Sequence, residues 1–549
     1  MRSLLIVIAV FLSFSAWTQT SANTYFVQFR NKANSPHTLQ NPSTYLSQKA
    51  IDRRLSQGLG FDSLDIPVNQ NYINQVLELG NSQVLLKSKW FNSITVQLID
   101  TSLADTWRAE VLGLDCVFQI KKLPEIPWVN VRAMKQGEEV VGGIDYGESD
   151  RQITMLNGQF LHEMGFQGEN MDIAVFDAGY ILANQLPALE KVFQEGRLIE
   201  THDFLRFNNP NVYLDATHGT FVLSHMAGII PDSLYGTSVN ANYYLFRTED
   251  ASQEVRLEED TWIQAAEWAD SIGIDVINSS LGYSVFDEES MSYQPADMNG
   301  VTTRISQAAE ICELKGTLVV NSAGNNGDDP SWRVITAPSD AKDVLCVGAV
   351  DANGIHANFS GYAPPGIDYV KPNVMGMGKH TVFAALDSTI SRGNGTSFSS
   401  PIIAGLCACL WQAFPKATNL EIKDAVERSS SCYALPNDSM GYGIPDFWRA
   451  FLLLSEKFYA QPSDHSVVVF PQPSADSFQV RIADYPPDGS NYCWLYSATG
   501  QMLWDYEWTF VTEGTWSVFN LNLGKLPSGR YYFVVENKSG KRVIPLQKK

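Results

Sequence analysis

Three textures of hydrophobic patterning divide the chain. Over residues 24–140 short strand-like runs alternate with amphipathic stretches. Tyr25-Phe26-Val27-Gln28-Phe29 and residues 94–98 read as strands, and residues 42–57 carry helical spacing along with Lys49, Arg53 and Arg54. A small α+β unit over 23–140 is predicted. Its border, residues 134–146, is rich in Gly and Glu with little periodicity, as expected of a linker or cleavable loop.

From 147 to 458 the texture changes to apolar, β-branched runs separated by helical segments, the pattern of a sheet with buried parallel strands. Residues 173–176, 243–246, 275–278, 318–320 and 344–347 are five such runs, and 261–271 and 302–314 are helices between some of them. The expected fold class is α/β with a parallel sheet. After residue 463 the helical pattern stops. Short runs at 467–470, 478–482, 492–496 and 531–535, with turns at Pro487-Asp488-Gly489 and Thr499-Gly500, predict a separate all-β sandwich over 466–549.

Composition narrows the function. The 549 residues exceed one small module, and 44% hydrophobic against 18% charged residues describe a folded chain. Thirty-nine basic against 60 acidic side chains give a net charge of −21, which disfavours nucleic acid as a partner. Residues 1–22 read as a signal peptide: Arg2, an apolar run over 4–14 too short to span a bilayer, and small residues at Thr20-Ser21-Ala22, with Asn23 as the expected start. Seven scattered cysteines define neither a disulfide framework nor a paired metal site.

Candidate chemistry comes from three places. Asp177 follows the run 173–176, where parallel sheets present reactive groups. His218-Gly219-Thr220 opens a helical segment. Asn394-Gly395-Thr396-Ser397-Phe398-Ser399-Ser400-Pro401 runs into the apolar helix 402–411, with Pro401 expected in its first turn and Ser397 exposed at the junction.

In this order the three segments resemble the subtilisin-like serine peptidases (subtilases) over roughly 300 residues. The resemblance implies that Asp177 orients the imidazole, His218 is general base and acid, and Ser397 is the nucleophile. Asn325, in Ala323-Gly324-Asn325, corresponds to the oxyanion-hole donor. Ser280, Leu281 and Gly282 correspond to the edge segment that pairs with substrate backbone. Phe359-Ser360 and Gly441-Tyr442-Gly443 also fit the family. Asn373 in Lys371-Pro372-Asn373-Val374 and Phe221 depart from it. No Gly-x-Ser-x-Gly elbow is present, and His162-Glu163-Met164-Gly165-Phe166 fails to complete a zinc-peptidase motif. No cofactor or catalytic metal is expected. Calcium stabilises many subtilases, but no loop here identifies its ligands.

The flanks acquire roles by the same resemblance. Residues 23–140 are similar to a subtilase propeptide that assists folding and inhibits its own enzyme; a retained accessory domain is the alternative. Residues 466–549 resemble the C-terminal sorting domain of type IX secretion, through Val469-Phe470-Pro471-Gln472-Pro473, Tyr496-Ser497-Ala498-Thr499-Gly500-Gln501, Leu526-Pro527-Ser528-Gly529-Arg530-Tyr531-Tyr532 and the basic tail from Lys541-Arg542. Pro-Asn-Pro is the more usual form of the first. A carbohydrate- or cell-binding sandwich is the alternative. The expectation is an endopeptidase acting on protein or peptide substrates, exported across both membranes of a Gram-negative bacterium to the surface or medium. Its competitor is a catalytically silent subtilase-fold protein acting in binding or adhesion.

Overall fold

The computed structural model describes residues 24–123, 144–206, 211–458, 467–470, 477–483, 492–503, 507–513, 516–537 and 540–549. The signal-peptide reading, most of the 134–146 linker, Pro471-Gln472-Pro473 and the turn at 487–489 lie outside them.

Seven parallel strands form the central sheet: β1 (Asp172–Asp177), β2 (Leu198–Asp203), β3 (Asn242–Arg247), β4 (Val276–Ser279), β5 (Leu318–Ser322), β6 (Leu345–Val350) and β7 (Val374–Met377). Their spatial order is β7-β6-β5-β4-β1-β3-β2. The five expected runs are β1 and β3–β6. The edge strands β2 and β7 are additional, and the reason is physical: Leu198–Asp203 carries Glu200 and His202 on a half-exposed edge, and Val374–Met377 is only four residues long. The order of strand addition reverses about β1, since β2 and β3 lie on one side of it and β4 to β7 on the other. Such a switch point opens a crevice at the carboxyl ends of the strands, where α/β sheets bind ligands.

Helix Leu257–Ile272 starts earlier than its periodicity suggests, and Arg304–Leu314 lies beside it. On the other face, helix Thr396–Ala413 packs over β4 to β7 with every residue but Gln412 buried. Cys407 and Cys409 are fully buried among its apolar neighbours.

The N-terminal unit is a four-stranded antiparallel sheet in the order Ser82–Ser88, Ser93–Leu98, Thr24–Phe29, Val117–Leu123, with its own core around Val27, Ile94 and Trp107. It sits on helices Leu257–Ile272 and Arg304–Leu314. Glu267 accepts hydrogen bonds from Ser88 Oγ (2.5 Å) and the backbone N–H groups of Lys89 (2.7 Å) and Trp90 (3.1 Å). Asp270, fully buried, receives Arg53 (2.9 Å), Arg54 (2.7 Å) and Lys89 (2.9 Å).

The C-terminal region has a four-stranded and a three-stranded antiparallel sheet whose inner faces share a core including Phe478, Phe519, Leu495 and Phe533. It docks on helix Phe447–Phe458, where Trp448 lies 5.0 Å from the ring of Tyr496 and donates through Nε1 to Ala498 O at 3.3 Å.

Candidate active site

Three strand ends and two helix starts meet in the crevice. Asp177, the last residue of β1, is fully buried. His218 begins helix His218–Ala227, and its Nδ1 lies 2.9 Å from both Asp177 carboxylate oxygens. Gly219 makes that approach possible, because a Cβ there would fall 2.6 Å from Gly179 O and 2.9 Å from Asp177 Cβ. Burial disfavours the imidazolium, yet the charge of Asp177 and its hydrogen bond outweigh it, so the His218 pKa is raised above its ordinary 6.5.

Ser397 lies in the first turn of helix Thr396–Ala413, which starts one residue before it. Pro401 is therefore in the second turn, not the first. A proline there cannot donate to the carbonyl four residues earlier. That carbonyl belongs to Ser397, and it accepts the Ser280 hydroxyl instead, at 2.9 Å. Ser280, just past the end of β4, thus ties the edge segment to the serine's own backbone. Among the described residues no hydrogen bond joins Ser397 Oγ to His218. The ring of the next residue, Phe398, stacks 6.1 Å from the imidazole.

Asn325 follows β5 through Gly324, whose φ of +90° favours a residue without Cβ. Its Oδ1 accepts Thr396 N (2.8 Å) and Thr396 Oγ1 (3.1 Å), and Thr396 Oγ1 accepts from Gly324 N (3.1 Å). With the oxygen occupied, Nδ2 is the free end of the amide. A Cβ built on Gly395 would lie 3.0 Å from Ser397 Oγ and 3.8 Å from Asn325 Nδ2, so both groups flank one small volume. Gly282 and Gly324 converge on Thr336, whose Oγ1 would lie 2.1 and 2.9 Å from added Cβ atoms.

All the expected site residues are thus brought to one end of the sheet. Sequence reasoning missed Thr396, quoted in the motif but assigned nothing, and the orienting bond of Ser280. It also left Asn373 unexplained. Asn373 accepts Cys346 N at 2.8 Å and donates to Glu427 at 2.7 Å, a pair of bonds that a carboxylate could not make. Phe221 packs its ring 4.6 Å from that of Phe383.

Fold and site together define a serine-type endopeptidase of the α/β class. Residues 168–443 match the subtilase family, peptidase S8, and the chain belongs to that family. Residues 24–136 match the peptidase S8 propeptide domain of Bacteroidota. Subtilisin amylosacchariticus of Bacillus subtilis subsp. amylosacchariticus is 26% identical over 331 residues, 59% of this chain and 75% of that protein. Subtilisin DY of Bacillus licheniformis is 26% identical over 293 residues, 53% and 93% of the respective chains. Among solved structures, MycP1 with its N-terminal propeptide removed aligns at 22% identity and a TM-score of 0.43, covering 55% of this chain and 96% of that one.

Proposed function

We propose that the protein is an exported endopeptidase that hydrolyses protein substrates through an acyl-enzyme on Ser397, with His218, Asp177 and Asn325 in the roles that their positions suggest. The observation that carries this reading is the pairing of His218 Nδ1 with both Asp177 oxygens at a crevice shared by Ser397 and Asn325. Ser397 Oγ attacks the substrate carbonyl carbon while His218 Nε2 takes its proton. Nδ1–H stays bonded to Asp177, which fixes the tautomer and stabilises the imidazolium. The oxyanion is held by Asn325 Nδ2–H and by the Ser397 backbone N–H, a first-turn donor without a helical partner. Collapse expels the amine, which takes the proton from His218. Water, deprotonated by the same imidazole, then releases the acid. The cycle uses no cofactor.

Residues 24–136 act, in this reading, as the enzyme's own inhibitor before processing. Residues 466–549 serve as the type IX sorting domain, supported by the independent core of the two-sheet region and by the motifs quoted for it.

Fluorophosphonate labelling of wild type and Ser397→Ala tests the chemistry. The wild type labels and cleaves peptides; the variant does neither. An unlabelled wild type would instead support the silent binding protein. Removal of residues 461–549 tests the sorting role: the truncated enzyme should accumulate in the periplasm, and arrival in the medium at wild-type levels would refute it.

A further inference from the structure

The strand order brings three charged side chains together at the carboxyl end of the sheet. Asp177, Arg247 and Asp203 close β1, β3 and β2, and the register pairs Arg247 with each of the two aspartates. Arg247 and Asp203 are each 1% exposed. A guanidinium this deep needs a carboxylate and further acceptors to offset its desolvation. Its Nη1 takes Asp203 at 3.1 Å, and among the described residues no ion pair joins it to Asp177. Asp203 is held to that task, because its Oδ1 accepts the backbone N–H groups of Leu205 and Arg206, each at 3.0 Å. The Asp177 carboxylate is thereby left to His218.

Two further contacts of the guanidinium reach the segments that carry the two members of the Asp177–His218 pair. Nε donates to Ala178 O at 2.8 Å. The Ala178 N–H in turn donates to Asp177 Oδ1 at 2.8 Å, so pinning the residue after Asp177 fixes one of the bonds that aim its carboxylate. Nη1 also lies 3.6 Å from Asp215 Oδ2, three residues before His218 in the chain. Asp215 is exposed, has a φ of +74° and is shared with Arg206 at 2.8 Å.

The backbone laces the same two segments together. Ile181 N donates to Ala216 O at 2.9 Å, and Gly219 N donates to Gly179 O at 3.1 Å. Arg247 thus stands behind a seam whose one side leaves β1 and whose other side enters the helix of His218. A planar fork with N–H groups in fixed directions can hold a carbonyl and two carboxylates at once, which a point charge on a flexible stem cannot. What the seam sets is the placing of His218 Nδ1 at 2.9 Å from both Asp177 oxygens, a geometry that a small rotation of either group would spoil.

We propose that Arg247 is a positioning residue of the peptidase reaction, holding Ala178 and Asp215 so that the Asp177 carboxylate and the His218 imidazole meet in this pairing. The proposal rests on the assignment of Asp177, His218 and Ser397. It is tested with the processed enzyme, its active sites counted by fluorophosphonate. Arg247→Lys keeps a charge beside Asp203 and replaces the fork by one nitrogen. Its kcat should fall about tenfold, with KM within about twofold of wild type. In an Asp177→Asn background the same substitution should lower kcat by less than about twofold, because the carboxylate through which Arg247 acts is gone. An unchanged kcat in Arg247→Lys would overturn the proposal. So would an equal loss in both backgrounds, the mark of a merely structural residue. Should Arg247→Lys yield no folded enzyme, Asp215→Asn decides, since asparagine tolerates a positive φ: kcat should fall about threefold at constant KM, and an unchanged kcat would overturn the proposal. A wild type that neither turns over peptide nor takes the label would overturn the triad and the proposal with it.

Discussion

The sharpest quantitative expectation concerns Asp270, the buried carboxylate where the N-terminal unit grips the peptidase. Arg53, Arg54 and Lys89 of the N-terminal unit all point at it, with Asp65 and Lys315 completing the network. Burial alone would raise its pKa, but Lys89, Arg54 and Arg53 hold the carboxyl well below the ordinary range. Asp270→Asn keeps the volume and removes the charge, leaving three buried cations facing an amide. Breaking a buried pair from one side costs about 3–5 kcal/mol, so the inhibition constant of a separate 24–136 fragment against the processed enzyme should weaken by roughly two to three and a half powers of ten. The pH dependence has a definite sign. A carboxyl depressed in the complex contributes binding that is complete above its free pKa and fades only as pH falls below it. Inhibition should therefore vary little through this group from neutral pH down to about 5. Added salt should also matter little, because the pairs are screened from solvent. A variant inhibited within threefold of wild type would refute the reasoning, since the network would then contribute no net grip.

Three further outcomes follow from the site. Asp177→Asn should lower kcat by about 10⁴-fold and move the acid limb of the kcat/KM profile, which the raised His218 pKa should place above 6.5 in the wild type, to lower pH, as a pH–rate titration would show. Thr396→Val removes the hydroxyl that steers Asn325 and should cost about tenfold in kcat with KM nearly unchanged, a smaller loss than Asn325→Ala. Ser280→Ala leaves the Ser397 carbonyl unpaired beside Pro401 and should lower stability by about 1–2 kcal/mol in chemical denaturation, together with a modest fall in kcat.

The legible parts of the molecule were those written in local pattern. Strands β1 and β3 to β6 announce themselves because burial on both faces demands continuous apolar runs, whereas β2 lies on a half-exposed edge and β7, though buried, is four residues interrupted by Gly376. Asp177, His218, Ser397 and Asn325 stand in short motifs whose order along the chain is informative. The bonds between motifs were not legible. That the Ser280 hydroxyl replaces the N–H missing at Pro401 requires two segments 117 residues apart to meet. The amide at Asn373 makes sense only once Glu427 lies opposite it. Glu258 looks like ordinary surface charge until residues 250 and 255 bring their backbone N–H groups onto its buried carboxylate.

Helix Thr396–Ala413 joins two properties that enzymes often keep apart. Its first turn carries Ser397, and the remainder runs through the interior against four strands of the sheet. No local opening can therefore loosen the serine and spare the core. Amides of this helix should exchange with solvent only through global unfolding, and loss of activity on heating should coincide with loss of structure. An enzyme built this way should keep its activity until it melts, without a long decline of partly active forms.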